Sequence, residues 1–355
     1  MVGQNPRPEL ASRAKGLLPV PGRRHVKLSA FTIVDQFPTP EGHGRDRYAE
    51  VVALAEHAEA AGLSGLWVAE HHFQPGGTCP SPPVLLAACA ARTTRLRLGV
   101  MVSVLPFHRP VDLAEEYALL DQLSHGRVNL GVGSGYIPVE FEGFGVDPAS
   151  KRDRFDRSLE WLVEAFAGRE VRTSDEPGSA PVTLNVRPVQ EPHPPLWIAV
   201  QRREAIPFVA RRNGSIALIP YATVSGVPEL ADEIGEFRAA QPPRSPAEVA
   251  VGLHLYAGDH PDRARAALDR FLASRLKTQS TFYQQKAAHD PHQAGRAGLE
   301  AAGFALIGSP REVADRLGEF RRIGVDEVLG IFDFGGLAAD DVAQSVRALG
   351  REFRP

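Results

Sequence analysis

Glu70, His71 and His72 stand side by side at the end of a short apolar run, residues 65–69, and Phe73 follows them. A carboxylate beside two imidazoles suits proton transfer, because imidazole titrates near neutral pH and a carboxylate can fix its tautomer. Metal binding is the other use of such residues. Successive strand residues point to opposite faces, so adjacent histidines do not grip one ion unless the strand has ended. The chain has no His-x-His or His-Glu-x-x-His spacing, and no metal site is expected. The expectation is that one imidazole faces a ligand as acid, base or cofactor contact, while Glu70 orients it or its neighbour. One packed and one solvated histidine is the plainer alternative.

Three further stretches could face the same ligand. The apolar "MVSVLPFHRP" (101–110) offers a wall for something flat, with His108 or Arg109 near its exit. A buried strand followed by a helix that starts at Pro110 explains most of that stretch as well. "GVGSGY" (131–136) places three glycines in five residues. They suit close passage of a ligand or a tight turn, and the dinucleotide-binding spacing is not met. "AVQRREA" (199–205) opens a helix with Gln201, Arg202 and Arg203. Arginines at a helix N-terminus oppose the macrodipole unless an anion such as phosphate offsets them. Solvated surface arginines are the alternative.

Positioning these residues requires a scaffold, and the apolar pattern supplies one. Short apolar runs alternate with amphipathic helices, the pattern of βαβ units. It predicts strands at 27–34, 63–70, 96–105, 127–133, 195–200, 215–220, 248–258 and 325–332, each followed by a helix. Eight such units make a (β/α)₈ TIM barrel, which needs about 250 residues. The remaining length falls in insertions after strands four and seven. Short β runs near Val171 and Val182 predict a hairpin, and Ser309, Pro310 and Glu312 predict a helix start with a capping box. A doubly wound sheet would need a glycine-rich phosphate loop after the first strand, and "DQFPTPEGHG" (35–44) is not one. In a barrel the site lies at the C-terminal ends of the strands, which puts Glu70, His71 and His72 at its mouth.

Composition narrows the classes. The 355 residues carry a formal charge of −3 and include two cysteines, Cys79 and Cys89. The first gives no pull toward nucleic acid or an anionic membrane, and the second no disulfide framework. A reducing cytoplasm fits, and the apolar runs are too short to span a bilayer. The Arg- and Pro-rich residues 1–25 predict a disordered leader, with one domain over 26–355. The polar segment 278–303 is a candidate mobile lid.

Taken together, "LWVAEHHF" (66–73), "LRLGVMVSVLPFHRPVDLAEEYALLDQLSHGRVNLGVGSGY" (96–136) and "LIGSPREVADRLGEFRRIGVDEVLGIFDFGG" (306–336) resemble the bacterial-luciferase-like flavin-dependent monooxygenases. The resemblance runs from about Lys27 to Phe353 and rests on EHHF in combination with DQLSHGR. It implies a TIM barrel, a homodimer, and reduced FMN taken from a separate flavin reductase, or a deazaflavin coenzyme instead. It implies oxygenation of a small organic substrate by molecular oxygen, with deazaflavin-dependent hydride transfer or a silent flavin-binding protein as alternatives. Carried over by position, His71 is the acid/base beside the flavin, with Glu70 next to it. Met101 and Val102 match a non-prolyl cis peptide behind the ring, with Ser103 adjoining. Gln201, Arg202 and Arg203 match the segment that holds the phosphate. Gly133 and Ser134 replace a reactive Cys and a phosphate-binding Arg of the luciferase, which shifts the phosphate grip toward Arg202 and Arg203. Apolar residues on several faces of the helices after strands two and three suit an interface with a second copy.

Overall fold

Strands form where buried apolar residues leave no polar face. β2 (Gly65–Val68) and β9 (Val249–Ala257) are buried along their whole length, as parallel strands covered on both sides must be. The chain is seen in a computed structural model that describes residues 26–37, 46–74, 76–172, 180–277 and 294–353. The leader expected at 1–25 and residues 278–293 of the expected lid lie outside the described residues.

Eight strands close into a parallel barrel. In order they are β1 (Lys27–Thr32), β2, β3 (Arg97–Val104), β4 (Val128–Gly133), β7 (Leu196–Val200), β8 (Ser215–Leu218), β9 and β11 (Glu327–Ile331). β11 returns to β1 at Lys27↔Glu327, and β8 meets β9 at Ile216↔Val249. These are the eight expected strands, and the fold is a (β/α)₈ TIM barrel. The expected hairpin is β5 (Val171–Arg172) with β6 (Pro181–Val182), paired at Val171↔Val182. One strand was not expected. β10 (Ala305–Gly308) pairs with the far half of β9, His254 to Ala257, beyond the point where β8 lets go. Four residues between two helices carry too little periodicity to announce a strand.

The helices are α1 (Arg47–Ala61), α2 (Pro82–Arg92), α3 (Pro110–Leu123), α4 (Pro138–Phe144), α5 (Lys151–Phe166), α6 (Ile206–Arg211), α7 (Pro220–Thr223), α8 (Val227–Ala240), α9 (Pro261–Lys277), α10 (Arg296–Ala302), α11 (Pro310–Arg322) and α12 (Ala339–Glu352). α11 starts on the expected capping box, with Ser309 and Glu312 exchanging side-chain and backbone hydrogen bonds. The insertion after β4 contains α4 and α5. The one after β9 contains α9, α10 and β10, so residues 296–302 of the expected lid are helix.

Inside the barrel, Trp67 and Trp197 meet edge to face with centroids 5.5 Å apart. Gly99 makes room for them, since a Cβ there would sit 2.2 Å from the Trp67 ring. Below them Glu327 accepts hydrogen bonds from Ser29 Oγ (2.6 Å) and Trp67 Nε1 (3.0 Å), which seals the closed end with a satisfied carboxylate. On β3 the Met101–Val102 peptide is cis, as the resemblance implied. The pairing with β4 shifts there: Val100 faces Leu130 and Ser103 faces Val132, so β3 carries one extra residue. Two glycines of β4 accommodate the bulge. A Cβ on Gly131 would lie 2.1 Å from the Val100 carbonyl oxygen, and one on Gly133 2.5 Å from Val102 Cγ2.

Candidate active site

The strand ends open into a cavity of about 370 Å³, within the roughly 300–1,000 Å³ typical of small-molecule sites. Part of its lining is apolar: Met101 and Val102 from the β3 bulge, Ile198 and Val200 from β7, and Ala217 from β8. Gly133 adds a stretch without a side chain. The lining also carries histidine and carboxylate groups from beyond β2 and from α4, and cations at Lys151, Arg152, Arg202 and Arg275.

The chain beyond β2 separates its two imidazoles. Glu70, His71 and His72 are all buried. Glu70 Oε1 accepts from His72 Nε2 (3.1 Å) and His108 Nε2 (2.8 Å), and Oε2 from the Val104 amide (3.3 Å). Burial would raise the Glu70 carboxyl, but the hydrogen bonds from His108 and His72 outweigh it and hold it below the usual carboxylate range. A carboxylate oxygen of Glu70 and one ring nitrogen each of His72 and His108 lie within 4.8 Å of one another. His71 belongs to a different partner: its Nδ1 lies 3.0 Å from Glu140 Oε1. The sequence left open which imidazole Glu70 orients. The structure gives it His72 and His108, while His71 faces the cavity on another carboxylate.

Glu140 was not identified from sequence. A signal exists: Ile137, Glu140, Phe141 and Phe144 share the i, i+3, i+4, i+7 spacing of an apolar stripe. Ile137, Glu140 and Phe141 are all buried, so a carboxylate occupies a core position. Nearby, Arg275 Nη2 donates to Asp35 Oδ1 at 2.6 Å, and burial pushes the Asp35 carboxyl up despite that cation. Arg275 lines the cavity, as do Tyr136 and Tyr221. The thiols take no part in this chemistry: burial pushes both Cys79 and Cys89 up to about 12.

Beyond β4 and β7, Arg202, Lys151 and Arg152 line the cavity with Ser134 and Gln201. Lys151 Nζ donates to the Gly135 carbonyl (3.2 Å), and burial together with the Arg202 charge lowers its ammonium below the usual lysine value. The Arg152 guanidinium lies over the Phe208 ring at 4.0 Å and pairs with Asp156. Lys151 is partly buried while Arg152 and Arg202 are exposed, and cations sharing one cavity lining favour an anion beside them.

Two expected cofactor contacts, Arg203 and Ser103, do not line the cavity. Arg203 turns away from the cavity and pairs with Glu236 on α8 (2.9 Å), half exposed. Ser103 points outward, where its hydroxyl hydrogen-bonds Tyr117 of α3 (2.6 Å) in the core, as strand alternation around the bulge requires. Lys151 and Arg152 line the cavity instead. They open α5, and basic residues in the first turn of a helix are the same signal that drew attention to Arg202.

Cations, an apolar stretch against a glycine, and a histidine thus line one cavity. The family model for luciferase-like monooxygenases matches residues 26–327. The chain belongs to this family. Its relatives include the oxygenase component of the flavin-dependent trigonelline monooxygenase of Acinetobacter baylyi, 26% identical over 81% of this chain and 84% of that one. Limonene 1,2-monooxygenase of Rhodococcus erythropolis is 29% identical over 72% of this chain and 67% of that protein. An uncharacterized protein of Sinorhizobium fredii is 37% identical over 55% of this chain, which spans only 57% of that relative's length. A second S. fredii relative is matched over 41% of its length. Among solved structures, the oxygenating constituent of 3,6-diketocamphane monooxygenase of Pseudomonas putida, in complex with FMN, superposes with a TM-score of 0.76 at 20% identity, covering 93% of this chain and 98% of that one. An F420-dependent secondary alcohol dehydrogenase gives 0.72 at 16% identity, over 94% of this chain and all of the other. Likeness at that level concerns the fold alone. The family is thus one of monooxygenases and oxidoreductases, and flavin-dependent monooxygenases are among its named members. Among the described residues no helix is long and apolar enough to cross a membrane.

Proposed function

We propose that this luciferase-like monooxygenase is the oxygenase of a two-component system. It takes reduced FMN from a separate flavin reductase and molecular oxygen from solution. One oxygen atom is delivered to a small organic substrate, the other leaves as water, and FMN returns oxidised. The observation that carries the reading is one cavity lined by His71 beyond β2 and by Lys151, Arg152 and Arg202 with the apolar Met101 and Val102. Arg202 follows β7, which β3 and β4 separate from β2 around the barrel.

Each group has a role. Lys151, Arg152 and Arg202 hold the phosphate, with Ser134 and Gln201 beside it. Met101, Val102 and Gly133 back the ring. The apolar wall excludes water from the reacting edge, which slows unproductive loss of reactive oxygen species. His71 takes and returns a proton at Nε2. When bound, reduced flavin supplies the two electrons that oxygen activation requires. The exposed Val84 on α2 and Leu119 and Leu123 on α3, between 53% and 71% exposed, support a homodimer through these helices. Two free thiols support a cytoplasmic enzyme.

Stopped-flow mixing of the anaerobic protein–reduced FMN complex with oxygen tests the reading. A spectral phase distinct from both reduced and oxidised FMN is expected. Prompt one-step oxidation, together with tighter binding of a deazaflavin than of FMN, would replace it with hydride transfer.

A further inference from the structure

We infer that Glu140 is the positioning residue of His71: it fixes the imidazole as the Nδ1–H tautomer and leaves the Nε2 lone pair facing the cavity. The inference rests on the reading of His71 as the proton-handling group, and it adds the direction in which that group acts first.

One carboxylate oxygen gathers the contacts. Glu140 Oε1 lies 3.0 Å from His71 Nδ1, 3.0 Å from the His72 amide nitrogen and 3.2 Å from Gln74 Nε2. The backbone N–H and the amide NH₂ can only donate, so Oε1 is an acceptor there. Gln74 Nε2 also lies 3.4 Å from His71 Nδ1, but it donates to Oε1 at the shorter 3.2 Å, and His71 Nδ1, 3.0 Å from the same oxygen, therefore carries its hydrogen. A neutral imidazole has one N–H, so Nε2 is bare. No protein hydrogen bond reaches Nε2 among the described residues, and it is not among the buried polar atoms left without partners. The ring lines the cavity, and its other edge packs on Gly77, where a Cβ would lie 2.5 Å from Cδ2. The His71 amide also donates to the Cys79 carbonyl at 3.0 Å, which anchors the backbone. Ring position and tautomer are thus both set by the protein before any ligand arrives.

The consequence is a direction. Neutral His71 first accepts a proton at Nε2 and can donate one only afterwards. Its first partner is a group that carries a dissociable hydrogen, such as a hydroxyl or amine of the substrate. The proton moves from that oxygen or nitrogen to Nε2, and the same proton is later returned to the product or to water.

The test is imidazole ¹⁵N NMR on the cofactor-free full-length protein, with the His71 signals assigned by their loss in His71→Gln. The wild type should show the Nδ1–H pattern at a pH where the ring is neutral. Glu140→Gln should keep it, because three donors select the amide oxygen for the same place. Glu140→Leu should move His71 to the Nε2–H form or a mixture. A wild-type spectrum of the Nε2–H form overturns the inference, and so does a folded Glu140→Leu protein that keeps the Nδ1–H pattern. If the leucine variant does not fold, the wild-type spectrum still decides. No flavin enters this measurement, so a protein with the expected tautomer that binds no flavin would end the functional reading and leave the role of Glu140 standing.

Discussion

His108 Nε2 lies 2.8 Å from Glu70 Oε1, so a residue from the exit of β3 holds the carboxylate that stands next to His71 in the chain. The contact joins the ends of β2 and β3 beside the cavity, and it carries a pH signature.

Burial would lower the His108 imidazole, but its hydrogen bond to Glu70 raises it above the ordinary 6.5. Glu70 is held below its ordinary 4.5. The Glu70 contribution to stability is therefore present above pH 4.5 and fades as pH falls through the lower folded value. The His108 contribution is complete below pH 6.5 and fades as pH rises through the higher folded value. Both are present together between those limits. Glu70→Gln should cost about 3 kcal/mol there, judged from breaking a buried pair. Urea melts of both proteins in acid, within the window and in base check this; a gap that does not vary with pH would contradict it.

The cationic lining makes a second prediction that separates neighbours. Arg202→Ala and Lys151→Ala should each weaken FMN binding roughly tenfold, about 1.4 kcal/mol. Arg203→Ala should leave it unchanged, because that side chain is committed to Glu236 outside the cavity. Riboflavin, which lacks the phosphate, should show no sensitivity to any of the three. Fluorescence titration measures all of these affinities.

The glycines opposite the β3 bulge make a third. Gly133→Ala puts a methyl 2.5 Å from Val102 Cγ2, a side-chain end that can move, whereas Gly131→Ala puts one 2.1 Å from the Val100 carbonyl oxygen, which cannot. Thermal melts should show about 1–3 kcal/mol lost for Gly133→Ala and more for Gly131→Ala.

His254 makes a fourth. It is fully buried among the rings of Tyr221, Phe271 and Phe334, and neither ring nitrogen has a hydrogen-bond partner among the described residues. Burial, with help from the Arg275 charge, pushes it down to about 3 from the ordinary 6.5. Between those values the unfolded chain binds a proton that the folded chain refuses, so stability falls as pH drops below 6.5. His254→Phe gives up no hydrogen bond. It should be near neutral at pH 8 and more stable than wild type by roughly 3 kcal/mol at pH 4. Equal acid sensitivity of the two proteins would contradict this.

Much of the architecture was legible in the sequence because barrel strands are continuous apolar runs, and helix starts such as Ser309–Glu312 announce themselves locally. Most of the site was legible only through residues that break a pattern: His71 after an apolar strand, and Arg202 at a helix start. Lys151 and Arg152 obeyed the same rule but lay in an insertion whose path local sequence does not fix. Arg203 misled because adjacent residues point apart, and only the fold shows which one meets Glu236. Ser103 misled for a related reason, since the one-residue bulge decides which face each side chain takes. Glu140 stood on an apolar stripe, yet its partner lies 69 residues away, a distance that no periodicity spans.

The most direct measurement is a crystal structure of the protein soaked with FMN. The phosphate should lie within hydrogen-bond reach of Arg202 and Lys151, with the ring against Met101–Val102 and its far edge toward His71. A flavin bound elsewhere, or none at saturating concentration with the cavity open, would contradict the account.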